Sequence, residues 1–276
     1  MNDLFDWALS LPSVVIAGIV GAIGGAIGAL LGAAAQRLFG QNKVWRIVPI
    51  IFAVVSFQLI SQSLLPSLQQ DAAVRTMIKQ SPIFSVIVKY HPDAEAEIAQ
   101  KMKEAMSGPS ADKGAAARAV GAAIADKYVN LHMLAASDEA IRNLLLSEVA
   151  ILRSVRSQPD DCVALYLGNA NAPVDKLLPE LLNAKAKARA DIIETSVTQP
   201  SPPPTGVTVD ALGKILVSAY KNNGFNVGEI AKVDDVASSP SKEGCDIGYH
   251  FLSAIASLDP KQAATVYKGL LVLAKQ

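Results

Sequence analysis

Apolar residues are laid along this chain in two different ways. Up to about residue 65 they run on with few interruptions, and beyond it they recur at three- and four-residue spacing between polar positions. The first run, Val14 to Ala35, reads VVIAGIVGAIGGAIGALLGAAA and holds no charge over about 22 residues. At 1.5 Å rise per residue such a helix covers roughly 33 Å, enough to cross a hydrocarbon core about 30 Å thick. The second run, Val44 to Leu65, is apolar in its first half and takes in Ser56, Gln58, Ser61 and Gln62 in its second. Pro49 lies near its start, where a missing N–H does least harm, and Trp45 and Arg46 suit an interfacial anchor. The pattern predicts two transmembrane helices, over 14–35 and 44–65, joined by a loop at 36–43; for the second, an amphipathic helix lying on the membrane or packing in the soluble part is the alternative. Cleavage after Ala33-Ala34-Ala35 is the alternative for the first, although nothing before Arg37 supplies the basic start of a signal peptide.

Orientation follows from the bases. Arg37, Lys43 and Arg46 cluster in and beside the loop, whereas the N-terminal tail carries Asp3 and Asp6 and no base. The positive-inside rule puts the loop in the cytoplasm and everything after about Ser67 outside. In a bacterium with two membranes, that is an inner-membrane protein with a periplasmic C-terminal domain. Small residues in the first run form two stripes at four-residue spacing, Ala17, Gly21, Gly25, Ala29, Ala33 and Gly24, Gly28, Gly32. Missing side chains let another helix approach closely, so Gly21, Gly24, Gly25, Gly28 and Gly32 are the expected packing residues of the membrane part.

From residue 67 the pattern is helical. Ser110, Ser137 with Asp138 and Glu139 behind it, and Asp259-Pro260 are each start signals followed by apolar residues at helical spacing. PIFSVIVKY, Pro82 to Tyr90, reads as a β-branched strand or as a short helix between two prolines. Gln199 to Gly206, QPSPPPTG, is a linker in extended polyproline geometry. The fold class is all-α: a membrane hairpin, 1–66, followed by a multi-helix extracytoplasmic domain, 67–276, with the Pro-rich linker at 199–206.

The domain also matches itself. EVAILRSVRSQP at 148–159 aligns without a gap on EIAKVDDVASSP at 229–240, and EAIRNLLLS at 139–147 resembles DALGKILVS at 210–218. Both copies then carry Cys-x-x-x-Tyr, Cys162 with Tyr166 and Cys245 with Tyr249. The matches suggest an internal helical duplication, units 111–172 and 205–258; chance agreement between Ala-, Ser- and Val-rich helices is the alternative. Two cysteines in one outside domain are expected to pair, giving a Cys162–Cys245 disulfide.

Composition narrows the function classes. Lys+Arg and Asp+Glu are each 25, so the net charge is zero, which argues against a general nucleic-acid binder. Mean hydropathy is +0.30 with 51% hydrophobic residues, and the excess lies in the first quarter. His91, His132 and His250 stand far apart and none falls in a metal-ligand spacing, so no metal site is expected. No GxSxG, GxxxxGK[ST] or dinucleotide fingerprint follows a strand, and no cofactor is implied. Asp160, Asp161, Asp234, Asp235 and the basic run Lys185 to Arg189 read as solvated charges. The expected role is therefore a membrane-anchored interaction protein without catalysis, immunity- or inhibitor-like, whose partners are the lipid bilayer and another envelope protein or a second copy. A glycine-zipper membrane assembly or pore component, and an envelope enzyme whose site forms only in three dimensions, are the alternatives.

Overall fold

The computed structural model of the chain describes residues 65–109, 112–169 and 172–274. The spans at 14–35 and 44–65, the loop residues Arg37, Lys43 and Arg46, and Gly21, Gly24, Gly25, Gly28 and Gly32 lie outside them, Leu65 excepted. The described residues are helical, with no strand among them. None of their helices is long and apolar enough to cross a membrane.

Helix α1, Leu65–Gln80, opens the described chain, and contacts divide the molecule between Met77 and Ile78. The second unit then runs through α2 (Pro82–Tyr90), α3 (Ala94–Ser107), α4 (Lys113–His132), α5 (Asp138–Val155) and α6 (Pro159–Tyr166). It continues with α7 (Pro179–Thr198), α8 (Val209–Asn222), α9 (Ser241–Ala256) and α10 (Pro260–Leu273). Short 3-10 turns at Val174–Lys176 and a longer stretch at Val227–Ser238 complete it.

PIFSVIVKY settles as a helix for a reason visible in its spacing. Ile83, Phe84 and Ile87 are the buried residues, one face at a 3.6-residue period. A strand would bury alternate positions, and there Ser85 and Lys89 share a face with Ile83 and Ile87. Pro82 supplies the first helical residue, and the His91 N–H closes the helix on the Ile87 carbonyl.

Helix α5 is the centre of the unit. Ser137 caps it by accepting the Ala140 N–H at 3.2 Å, Asp138 and Glu139 sit in its first turn and Arg153 in its last, each placed to offset the helix dipole. Ile141, Leu144, Leu145, Ile151, Leu152 and Val155 are all buried. At about 1.5–3 kcal/mol for each large apolar side chain removed from water, these residues make α5 a principal source of cohesion in the unit. It packs against α7, α9 and α10 and, more lightly, α6.

Helix α7 lies between α5 and α4. It runs antiparallel to α5, since Thr195 Oγ1 accepts the Ser137 N–H at one end and Lys185 meets Glu148 at 2.8 Å towards the other. It runs parallel to α4, where Arg189 pairs with Asp126 and Ser196 with His132. The basic run Lys185 to Arg189 thus ties three helices together, which corrects its reading as a solvated face. Asp161 is likewise engaged, by Lys176 at 2.7 Å.

The two aligned segments fold differently after a common start. EAIRNLLLS and DALGKILVS both lie in helices, α5 and α8, each with a side-chain N-cap, Ser137 and Thr208. EVAILRSVRS then continues α5, whereas α8 stops, turns through Gly224 at φ +72°, and EIAKVDDVAS winds as 3-10 turns. Leucine and arginine hold the first stretch helical; Asp234-Asp235 of the second compete with the backbone for hydrogen bonds. Each is followed by a proline that opens a cysteine-bearing helix, Pro159 for α6 and Pro240 for α9.

Candidate functional site

Cys162 is the fourth residue of α6 and Cys245 the fifth of α9, and the packing of these helices brings them to disulfide distance. Their sulphurs lie 2.02 Å apart and their Cα atoms 5.5 Å apart. Both are buried, 0% and 2% exposed. The close approach has a second cause that the cysteines alone do not reveal. Gly244 and Gly248, four residues apart on α9, present bare backbone to α6. A Cβ on Gly248 would lie 2.8 Å from the Tyr166 ring, and one on Gly244 would lie 3.0 Å from the Val236 carbonyl and 3.2 Å from Val163. The small-residue spacing that attracts notice in the N-terminal run recurs here within the helical unit, flanking Cys245. Burial, with the Asp234 charge nearby, pushes the Tyr166 hydroxyl up to about 12.

The three histidines fall into two clusters. His250 is engaged at both ring nitrogens. Arg156 Nη2 donates to its Nε2 at 3.3 Å, which leaves Nδ1–H to donate to Glu229 at 2.8 Å. Phe225 stacks on the ring at 4.2 Å, and Arg156 also grips Asp246 with two bonds at 2.7 and 3.0 Å. Lys232 meets Glu243 at 2.7 Å beside them. Each of these acids has a donor, so the polar hollow they line with Pro240 offers paired charges rather than a free carboxylate.

His91 and His132, 41 positions apart, come together. Their Nε2 atoms are 2.7 Å apart, and His132 Nδ1 lies 2.6 Å from Ser196 Oγ. The C-cap of α2, the last residue of α4 and the last turn of α7 meet at this point. Burial and the neighbouring His91 hold the His132 imidazole below its usual value. The Ser196–His132 distance is that of a nucleophile and its base, yet the hydroxyl also bonds the Ile193 carbonyl at 2.7 Å.

A buried amine forms a third polar centre. Lys268 on α10 is 1% exposed and donates to the carbonyls of Ala136 at 2.6 Å and Ser201 at 2.8 Å, with Asp138 Oδ1 at 3.7 Å. Ser201 also donates its hydroxyl to Asp138 and its N–H to Ala135. The Pro-rich linker is therefore fastened to the corner before α5. Polyproline geometry leaves carbonyls unbonded along the chain, and Lys268 takes one of them. Burial lowers the amine from its usual value.

Two open grooves mark the surface. One follows Ala115, Ala119, Ala122 and Ala123 of α4, with Arg118 and Asp126 on its rim. The other, about 490 Å³, is lined by Gly213 and Val217 of α8 with Val227, Ile230 and Ala231, and by the ion pair of Asp210 and Lys214. Among the described residues no group of three or more His, Cys, Asp or Glu side chains is placed to hold a metal ion. No protein-family model, no curated protein and no solved structure matches this chain.

Proposed function

We propose that this chain is a membrane-anchored interaction protein of the bacterial envelope, with its helical unit outside the cytoplasmic membrane and engaged in binding rather than chemistry. The buried Cys162–Cys245 pair, at bonding distance, carries the location, because a disulfide persists in an oxidising compartment and is rare in a reducing one. The charge pattern around Arg37, Lys43 and Arg46 independently favours the same orientation of the two apolar runs. Binding is favoured over catalysis by the form of the concave surface. The groove beside Val217 and Ile230 is open and largely apolar, and the acids of the polar hollow, Glu229, Glu243 and Asp246, are paired with His250, Lys232 and Arg156 in turn.

The test is a pair of alkaline phosphatase fusions, active only after export, combined with crosslinking in cells. A fusion after Gln276 is expected to be active and one at Gln41 inactive. Crosslinking of the full chain, followed by detergent extraction, is expected to give a discrete protein adduct. The reverse fusion pattern overturns the orientation, and a chain that stays uncrosslinked at native abundance overturns the binding role.

A further inference from the structure

We propose that His91 and His132 form a proton-operated latch, which holds the end of α2 against α4 and α7 and lets go when both imidazoles carry a proton. This inference stands on the geometry of the pair and does not depend on where the unit resides.

Counting protons shows why. The Ser196 hydroxyl has a single hydrogen, and its bond to the Ile193 carbonyl at 2.7 Å uses it. Ser196 Oγ then accepts the Nδ1–H of His132 across 2.6 Å. His132 is left with a lone pair at Nε2, and His91 fills the 2.7 Å contact by donating its Nε2–H. One added proton goes to Nδ1 of His91 and leaves that bond intact. A second must go to Nε2 of His132, where it faces the His91 N–H, and two cations then abut at hydrogen-bond distance. With the tautomers reversed the count is the same: three protons across the two rings are tolerated and four are not.

Among the described residues the two rings bond each other and Ser196, and no carboxylate bonds either of them. On α2, Lys89 binds Glu194 at 2.8 Å and Tyr90 lies 3.5 Å from the same carboxylate. On α4, Lys127 binds Glu97 of α3 at 2.8 Å, and Tyr128 donates to Glu97 at 3.2 Å. Asp191, the other acid of this part of α7, feels Lys187 and Glu194, while Asp93 begins α3 two positions beyond His91. The Tyr128 ring, 4.9 Å from the His91 ring, favours a cation on His91 and so the first proton only. Glu194 and Glu97 are committed to lysines, and the fourth proton meets the like charge of the facing imidazolium across the 2.7 Å contact. Histidine pairs of this kind change state in the mildly acidic range.

The test uses the full chain in detergent, with hydrogen exchange of the α2 amides followed by mass spectrometry at pH 7.5 and pH 5, corrected for intrinsic exchange. In the native protein, protection over residues 85–91 is expected to fall at least tenfold at the lower pH. In His91→Gln and in His132→Gln it is expected to stay constant, because one imidazole cannot place two cations together. Equal losses in all three proteins, or none in the native one, overturn the proposal. Should neither variant fold, the imidazole nitrogen resonances of the native protein decide it. Two separated titration steps, the second well below the ordinary histidine range, are expected; two independent ordinary titrations overturn it.

Discussion

The Tyr166 ring occupies the place where a side chain on Gly248 would begin, with Cδ2 and Cγ each 2.8 Å from an ideal Cβ. An aromatic ring wedged beside a disulfide-distance pair cannot yield as the tip of a flexible chain would. Gly248→Ala is therefore expected to destabilise the unit by about 1–3 kcal/mol through overpacking, despite the better helix propensity of alanine. Gly213, also within a helix, has nothing within 4 Å of its Cβ position. Gly213→Ala is expected to stabilise by up to about 1 kcal/mol. Urea denaturation of the two variants beside the native protein measures both, and a loss of equal size in each contradicts the account.

The cysteine pair closes a loop over a separation of 83 positions. Loop-closure entropy alone makes such a bond worth as much as about 4–5 kcal/mol, and measured losses for native bridges run at about 2–5 kcal/mol. Cys162→Ser is expected to lower the melting temperature accordingly while leaving helix content at room temperature nearly unchanged, since α6 and α9 keep their Gly244–Gly248 seam. A thiol count on denatured, unreduced protein is expected to find none. Two free thiols would show that the pair is close but unbonded.

Acid weakens the contact between α3 and α4 in a separate, lower window. Hydrogen bonds from Lys127 and Lys101 hold the Glu97 carboxyl down to about 2, against an ordinary 4.5. Because the folded value is the lower one, the stabilisation is present in full above pH 4.5 and is lost as the pH falls towards 2. Glu97→Gln is expected to flatten the decline of melting temperature across that interval. The burial of His132 acts with the same sign around the ordinary histidine range, so the two contributions separate along one titration.

Lys268 can be tested by an apolar replacement of similar length. Lys268→Met leaves the Ala136 and Ser201 carbonyls without their buried donor, a loss of about 1–3 kcal/mol. The pH dependence distinguishes this amine from a merely filled space. Burial lowers its value, so the unfolded chain holds the proton more tightly, and native stability relative to the variant is expected to rise as pH climbs towards 10.5. Equal slopes in the alkaline range for native and variant proteins would remove Lys268 from the account.

Much of the helical plan is written in short-range signals. Ser137 and Asp259 cap the helices they precede, and Asp112 takes the capping position near Ser110. The Cys-x-x-x-Tyr spacing shared by Cys162 with Tyr166 and Cys245 with Tyr249 is local as well, and it marks the two cysteines as a pair. What the sequence hides is lateral. His91 and His132 are neither adjacent nor at a ligand spacing, and only the packing of the end of α2 against α4 brings their rings together, with Ser196 of α7 on the far nitrogen of His132. Gly244 and Gly248 are four apart and flank Cys245, so their spacing was legible; its meaning depended on knowing that Tyr166 would lie across them. Lys268 carries no local mark of burial, because its acceptors are backbone carbonyls 132 and 67 positions away.

That last arrangement bears on the order in which the protein can assemble. A chain emerges from the ribosome beginning at its N-terminus, and α5 is made long before the helices that cover it. Cys162 waits for Cys245, and the Ala136 carbonyl waits for an amine 132 positions downstream. At about 5–20 residues per second the second wait is on the order of ten seconds. Throughout it, the faces of α5 destined for α9 and α10 are bare and available to neighbouring chains. Completion therefore comes late and all at once, when α10 docks, and growing chains of this protein are the form most in need of a chaperone's cover.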